Sequence, residues 1–113
     1  MSHPNYLAFF RQRNGLSAQE LADLIGYSAR STVRRAELGE RDPTLPFALA
    51  CQAVFGIPPA QMFPALYGKI EEDVLNRGAL LDHQLRSQPG EQSALKRRLL
   101  SDIVERSNQL PAA

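Results

Sequence analysis

The chain has 113 residues, 43% of them hydrophobic and 22% charged, a composition typical of one small soluble domain with an appendage. Its formal net charge of +1 excludes a strong overall basic field, and its single cysteine, Cys51, excludes an intrachain disulfide or a cysteine-cluster metal site. The sequence shows neither the roughly 18 apolar residues of a membrane span nor a signal-peptide core. We therefore expect a cytoplasmic protein.

The first predicted element is a helix over about residues 4–13, which Asn14-Gly15 would end. Leu7 and Phe10 lie at helical spacing within it, so both are expected to face the core.

Two short helices joined by a tight turn are predicted over residues 17–37, a pattern typical of a helix-turn-helix. The S-x-x-E sequence that begins at Ser17 is a capping box for the first of them. Gly26 can adopt the positive φ that stops this helix. The second helix is predicted to begin from Ser28 or Ser31. In this arrangement the second helix is the one offered to a DNA groove.

One face of that second helix is basic. Four residues fall within roughly 140° of one another at helical spacing, namely Arg30, Ser31, Arg34 and Arg35. Val33 and Ala36 lie on the other side, where the core is expected. The arginine fork suits guanine edges and phosphates, which indicates DNA as the partner. The alternative is a basic face that only contacts solvent.

Glu37 lies one turn beyond Val33 and leans toward the buried side. A buried carboxylate needs a partner, and Arg11 near the end of the first helix is the candidate. The alternative is that Glu37 points into solvent.

A fourth helix is predicted over residues 47–55, after a loop bounded by Pro43 and Pro46, and a fifth over residues 58–63. Apolar side chains of this region are assigned to the core: Phe47, Leu49, Val54, Phe55, Ile57 and Phe63. Because strand-like alternation is absent from the sequence, the chain is predicted to be all-α.

Residues 67–113 are predicted to form a two-helix hairpin that breaks at Gln88-Pro89-Gly90. Its apolar stripes are Ile70, Val74, Leu81 and Leu85 on one helix and Leu95, Leu99, Ile103 and Leu110 on the other. Because one helix pair buries two stripes poorly, we interpret the hairpin as a dimerisation element. The alternative is that it folds back onto its own domain.

The segment Leu7 to Phe63 resembles the lambda-repressor/Cro-like helix-turn-helix domain of the XRE family of bacterial and phage transcriptional regulators. The matching pieces are RQRNGLSAQELADLIGYS, STVRRAELGERDP and ALACQAVFGIPPAQMF, including the E-x-G-x-R-x-P run. The resemblance implies a five-helix DNA-binding domain over residues 1–66, followed by the extension 67–113. It also implies a homodimer that docks its third helix in the major groove of a pseudo-palindromic, double-stranded operator at the nucleoid.

Site residues follow from the resemblance and from the basic face. The base-reading candidates are Arg30, Ser31, Arg34 and Arg35, of which Arg34 is placed to reach either a base or a phosphate. The phosphate-contacting candidates are Ser17, Gln19, Thr32 and Arg41. Arg11 and Glu37 occupy positions where family members often hold an ion pair. Two features depart from the family pattern. The stretch from Gly26 to Glu37 is one residue longer than the commonest spacing, and Ala18 stands where a glutamine is frequent, with Gln19 next.

We expect no enzymatic activity, cofactor or metal. His3 and His83 lack metal-ligand spacing with each other or with Cys51, and the sequence contains neither a phosphate-binding glycine loop nor a nucleophile elbow. The alternative function is that of an antitoxin or antiactivator, a protein-interaction module of the same fold whose extension binds a protein partner.

Overall fold

The computed structural model describes residues 3–109, and all regular secondary structure in that range is α-helical. The helices are α1 (Leu7–Arg13), α2 (Ala18–Leu24), α3 (Arg30–Glu37), α4 (Leu45–Phe55), α5 (Pro59–Met62), α6 (Pro64–Leu85) and α7 (Glu91–Ser107). The predicted fold class, an all-α helix-turn-helix domain with a helical extension, is confirmed. The described residues divide into two compact units, one ending at Gly68 and the other beginning at Lys69.

The first unit is built around one apolar core to which α1 to α5 all contribute. Its buried members are Leu7, Leu21, Ala22, Val33, Ala36, Phe47, Ala48, Cys51, Met62 and Phe63. Phe10 and Phe55 pack at its edge with ring centroids 6.3 Å apart. Leu66, in the first turn of α6, is partly buried and also packs against this core. Each short helix is therefore stabilised by burial of one face rather than by its own length.

The prediction that Leu49 belongs to the core is wrong, because this side chain is half exposed. Phe47, Ala48 and Cys51 are the buried residues of α4, and Leu49 lies about 200° around the helix from Phe47. The apolar run in this segment is continuous, so its composition does not reveal which face is buried.

Several predicted helix boundaries also differ from the structure. The first helix begins at Leu7 rather than at residue 4, and the first helix of the extension begins at Pro64 rather than at residue 67. Pro46 does not bound a loop but lies in the first turn of α4, where proline is tolerated because its missing N–H would have no helical partner; Thr44 caps that helix through its side-chain oxygen. Neither Ser28 nor Ser31 caps α3. Its N-cap is Ala29, in an extended conformation and without a side-chain cap.

The second unit contains most of α6 packed antiparallel against α7. Arg97 donates a hydrogen bond to Asp82 over 3.2 Å, and a Cβ added to Gly78 would lie 3.3 Å from the side chain of Leu100. The contact partner of the later residue, Leu100, is Gly78, which precedes Asp82 on α6, so the two helices run antiparallel and form a hairpin. The absence of a side chain at Gly78 lets Leu100 approach the α6 backbone, so this glycine has a packing role.

Substituting Ser17 tests the helix cap that begins α2. The Ser17 hydroxyl accepts from the Glu20 N–H over 3.0 Å, and the Glu20 carboxylate accepts from the Ser17 N–H over 2.9 Å. We expect Ser17→Ala to lower the free energy of unfolding by about 1 kcal/mol, measured by urea denaturation. Ser28→Ala is the control and should change it little, because that hydroxyl caps no helix. Equal losses in both variants would contradict the capping role.

Cys51 provides a second test of the core. Its side chain is fully buried, and burial raises the pKa of its thiol to about 12. Because the thiolate is the reactive form, we expect no reaction with an aromatic disulfide reagent at about pH 8 until denaturant is added. Rapid labelling of the folded protein would show that α4 opens locally.

Candidate nucleic-acid interface

The orientation of α3 is fixed by its buried side. Val33 is fully buried and Ala36 is 4% exposed, so these two residues hold one face of the helix in the core. Gly26 (φ 87°) makes the turn from α2, and Gly39 (φ 72°) ends α3. A Cβ on Gly39 would lie 2.8 Å from the backbone of His3, so glycine is required there for conformation and for space.

The opposite side of α3 carries the predicted base-reading residues. We call Arg30, Ser31, Arg34 and Arg35 the outer face of α3; all four are exposed. Acceptor-rich base edges and phosphates match the guanidinium donors on this surface.

Arg11 joins α1 to the C-terminal end of α3 through Glu37. The Arg11 Nε and Nη2 atoms both donate to the Glu37 carboxylate, the latter over 3.2 Å, and Nη1 donates to the Leu16 carbonyl over 2.9 Å. The side chains of Arg11 and Glu37 are 10% and 1% exposed. Hydrogen bonding to Glu37 raises the pKa of Arg11; burial opposes this rise, and the charge of Glu37 reinforces it. The guanidinium therefore stays charged inside the domain.

Sequence reasoning missed a second partner of Glu37. The Arg34 Nη1 atom donates to Glu37 over 2.9 Å, although the Arg34 side chain is itself 49% exposed. The i, i+3 spacing of these two residues on one helix was the signal that could have revealed the contact.

The predicted phosphate-contacting residues lie in different environments. Gln19 donates through Nε2 to the Asp23 carboxylate over 3.0 Å and to the Ser28 carbonyl over 3.3 Å, so it ties α2 to the turn before α3. The Ser17 hydroxyl is occupied by the α2 cap. Thr32 is half-buried on the side of α3, and Arg41 is exposed in the loop after it. The structure therefore connects Gln19 to the turn before α3, while Arg41 lies in the loop after α3.

Among residues 3–109, no group of three or more histidine, cysteine, aspartate or glutamate side chains is arranged to hold a metal ion. In the same range, every helix is too short or too polar to cross a membrane.

The region that contains α3 matches a known protein family. A helix-turn-helix family model matches residues 7–62, which include α1 to α5 and every residue of the outer face of α3. No curated protein and no solved structure gives a significant match to the chain. The N-terminal domain therefore belongs to the helix-turn-helix family of the XRE, lambda-repressor/Cro-like type, which is a family of DNA-binding domains.

Proposed function

We propose that the protein is a sequence-specific transcriptional regulator that inserts α3 into the major groove of double-stranded DNA. The observation that carries this proposal is the division of α3 into a buried side and an exposed outer face with three arginines. A helix held in this way presents rigid donors to base edges, and Ser31 lies about opposite the midpoint of the buried Val33 and Ala36 side. The proposed place of action is the cytoplasm, at the nucleoid, because that is where a bacterial operator lies.

Phosphate contacts are proposed at the margins of the same surface. The N-terminal end of α2 presents Ser17, whose O–H remains a donor while its oxygen accepts in the cap. Gln19 would exchange its bond to Asp23 or to the Ser28 carbonyl for a phosphate. Thr32 lies on the side of α3, and Arg41 follows α3. Contacts of this kind fix the register of the protein on DNA without reading sequence. With a net charge of only +1, the protein must obtain its DNA affinity from this local cluster.

We further propose that the regulator is a homodimer formed through the hairpin of α6 and α7. Ile70, Val74 and Leu81 lie within about 40° of one another on α6, and they are 51%, 41% and 41% exposed. On α7, Leu95 and Leu99 are 65% and 55% exposed. Apolar stripes of this extent typically mark an interaction surface, and two-fold pairing matches paired operator half-sites.

A protein partner is the second candidate for these stripes, as in an antitoxin or antiactivator. The same exposed leucines favour it, since any apolar helical partner could cover them. A wild-type chain that is monomeric at micromolar concentration would favour this candidate over the homodimer.

Arg35→Ala tests the base-reading proposal. We expect the variant to remain folded and to lose about 1–3 kcal/mol of binding free energy on the operator duplex obtained by library selection, with little change on random DNA. Arg86→Ala, in the second unit, is the control and should bind both duplexes normally, because Asp82 retains Arg97 as its partner. Unchanged operator affinity in Arg35→Ala, measured by fluorescence anisotropy, would remove this residue from the base-reading set.

Adjacent leucines on α6 give a matched test of the dimer. Leu81→Asp places a charge in the exposed apolar stripe, so we expect light scattering to show a shift toward monomer and operator affinity to fall. Leu80→Asp adds the same charge about 100° further around the helix, where the side chain is already 69% exposed, and should remain dimeric. A Leu81→Asp protein that stays dimeric would place the interface elsewhere.

A further inference from the structure

The Glu37 carboxylate is shared between two guanidinium groups. Its Oε1 atom accepts from Arg34 Nη1 over 2.9 Å and from Arg11 Nη2 over 3.2 Å, while the side chain is 1% exposed. One negative charge therefore balances two positive charges, and the cluster of Arg11, Glu37 and Arg34 carries a formal charge of +1.

The excess positive charge of this cluster lies at Arg34. Arg11 is nearly buried, and Nε, Nη1 and Nη2 are all hydrogen-bonded. Arg34 is 49% exposed and, among the described residues, is hydrogen-bonded only through Nη1. Its remaining N–H groups are available to an anion in solution, while the bond to Glu37 holds the guanidinium in place.

The contact with Glu37 also determines the direction of the Arg34 side chain. At about 100° per residue, Arg34 lies about 60° from Glu37 around α3, whereas Arg35 lies about 160° away. The ion pair therefore draws the Arg34 guanidinium toward the flank of α3 that contacts α1, away from Arg35. When a helix occupies the major groove, its centre faces base edges and its flanks approach the sugar-phosphate backbone.

We propose that Glu37 is a positioning residue for DNA binding, which holds Arg34 at the α1 flank of α3 so that it donates to a backbone phosphate rather than to a base. This inference rests on the proposed docking of α3. The bound phosphate neutralises the remaining charge of the cluster, and base reading falls to the other residues of the outer face. Glu37 thereby links the packing of α1 against α3 to the DNA contact.

Arg34→Ala distinguishes a phosphate contact from a base contact. We expect about tenfold weaker binding to both the selected operator duplex and a random duplex of equal length, and a salt dependence of log K reduced by about 1. Arg35→Ala is the control and should weaken binding mainly to the operator. If Arg34→Ala instead weakens operator binding alone, Arg34 reads a base and the proposal fails.

The positioning role is tested by combining Glu37→Gln with substitutions of each arginine. Removing a carboxylate also favours DNA electrostatically, and that effect is common to every background. Glu37→Gln is therefore introduced both into the protein that has Arg34 and into Arg34→Ala, and the fold-change in affinity for DNA is measured in each. We expect that fold-change to be about tenfold less favourable in the protein that has Arg34. In Arg35→Ala, the same substitution should act as it does in the wild type. Equal effects in the Arg34 and Arg34→Ala backgrounds would overturn the proposal.

Folding is monitored by thermal unfolding of each variant, because Glu37→Gln leaves the buried Arg11 charge unpaired. If that variant unfolds, Arg11→Met combined with Glu37→Gln removes both buried charges, and Arg11→Met alone is its reference. In this background too, the effect of Glu37→Gln on affinity is expected to depend on Arg34.

If neither Arg34→Ala nor Arg35→Ala alters binding to either duplex, the proposed DNA surface is wrong. If Arg35→Ala behaves as expected and only the dependence on Arg34 is missing, the positioning role alone fails.

Discussion

The buried Glu37 carboxylate is the constraint on which the arrangement of α1 and α3 depends. A buried charge is tolerated only when it is paired and hydrogen-bonded, so the carboxylate requires the Arg11 guanidinium beside it. Arg11 in turn donates to the Leu16 carbonyl just before α2, which extends the constraint to the start of the helix-turn-helix. Truncating Glu37 would leave the buried Arg11 charge uncompensated, whereas truncating Arg11 would leave Glu37 paired with Arg34 alone. The ion pair with Arg11 and the burial of Val33 and Ala36 together set how α3 is oriented.

Much of the first unit could be predicted from sequence because its signals are local. The capping box at Ser17, the positive φ at Gly26 and the buried Val33 side of α3 each depend on residues within one or two helical turns. Leu49 could not be assigned correctly, because in a continuous apolar run the exposed face is chosen by the other helices. The Arg34 contact is hard to predict for a similar reason: at its position on α3 the side chain can reach solvent, DNA or Glu37, and the place of the Glu37 carboxylate depends on Arg11 in α1.

The hairpin illustrates a different limit of sequence reasoning. Helical spacing predicts its apolar stripes, and Leu85 is indeed buried, at 3% exposed, whereas Ile70, Val74, Leu81 and Leu99 are all at least 41% exposed. Leu110 lies outside the described residues. The contact between α6 and α7 also uses Gly78, which lies close to Leu100, and the hydrogen bond between Arg97 and Asp82. A search for apolar side chains at helical spacing does not identify these positions. Covering such stripes would be favourable by roughly 25 cal/mol per Å² of apolar surface, which is the physical basis of the proposed dimer. Helical spacing does not reveal which surface would cover them.

The small net charge of the chain gives the local arrangement of charges its importance. A protein with a large basic field binds any DNA through counterion release, and one arginine more or less changes little. At a formal charge of +1, the field near α3 instead depends on which arginines are neutralised internally. Glu37 is buried beside Arg11 and shared with Arg34. Its negative charge lowers the net positive charge near α3, and its bond to Arg34 fixes the direction of that side chain. Such an arrangement limits the net positive charge near α3 while it holds the remaining charge at one place, which is consistent with the proposed positioning of Arg34 on a phosphate.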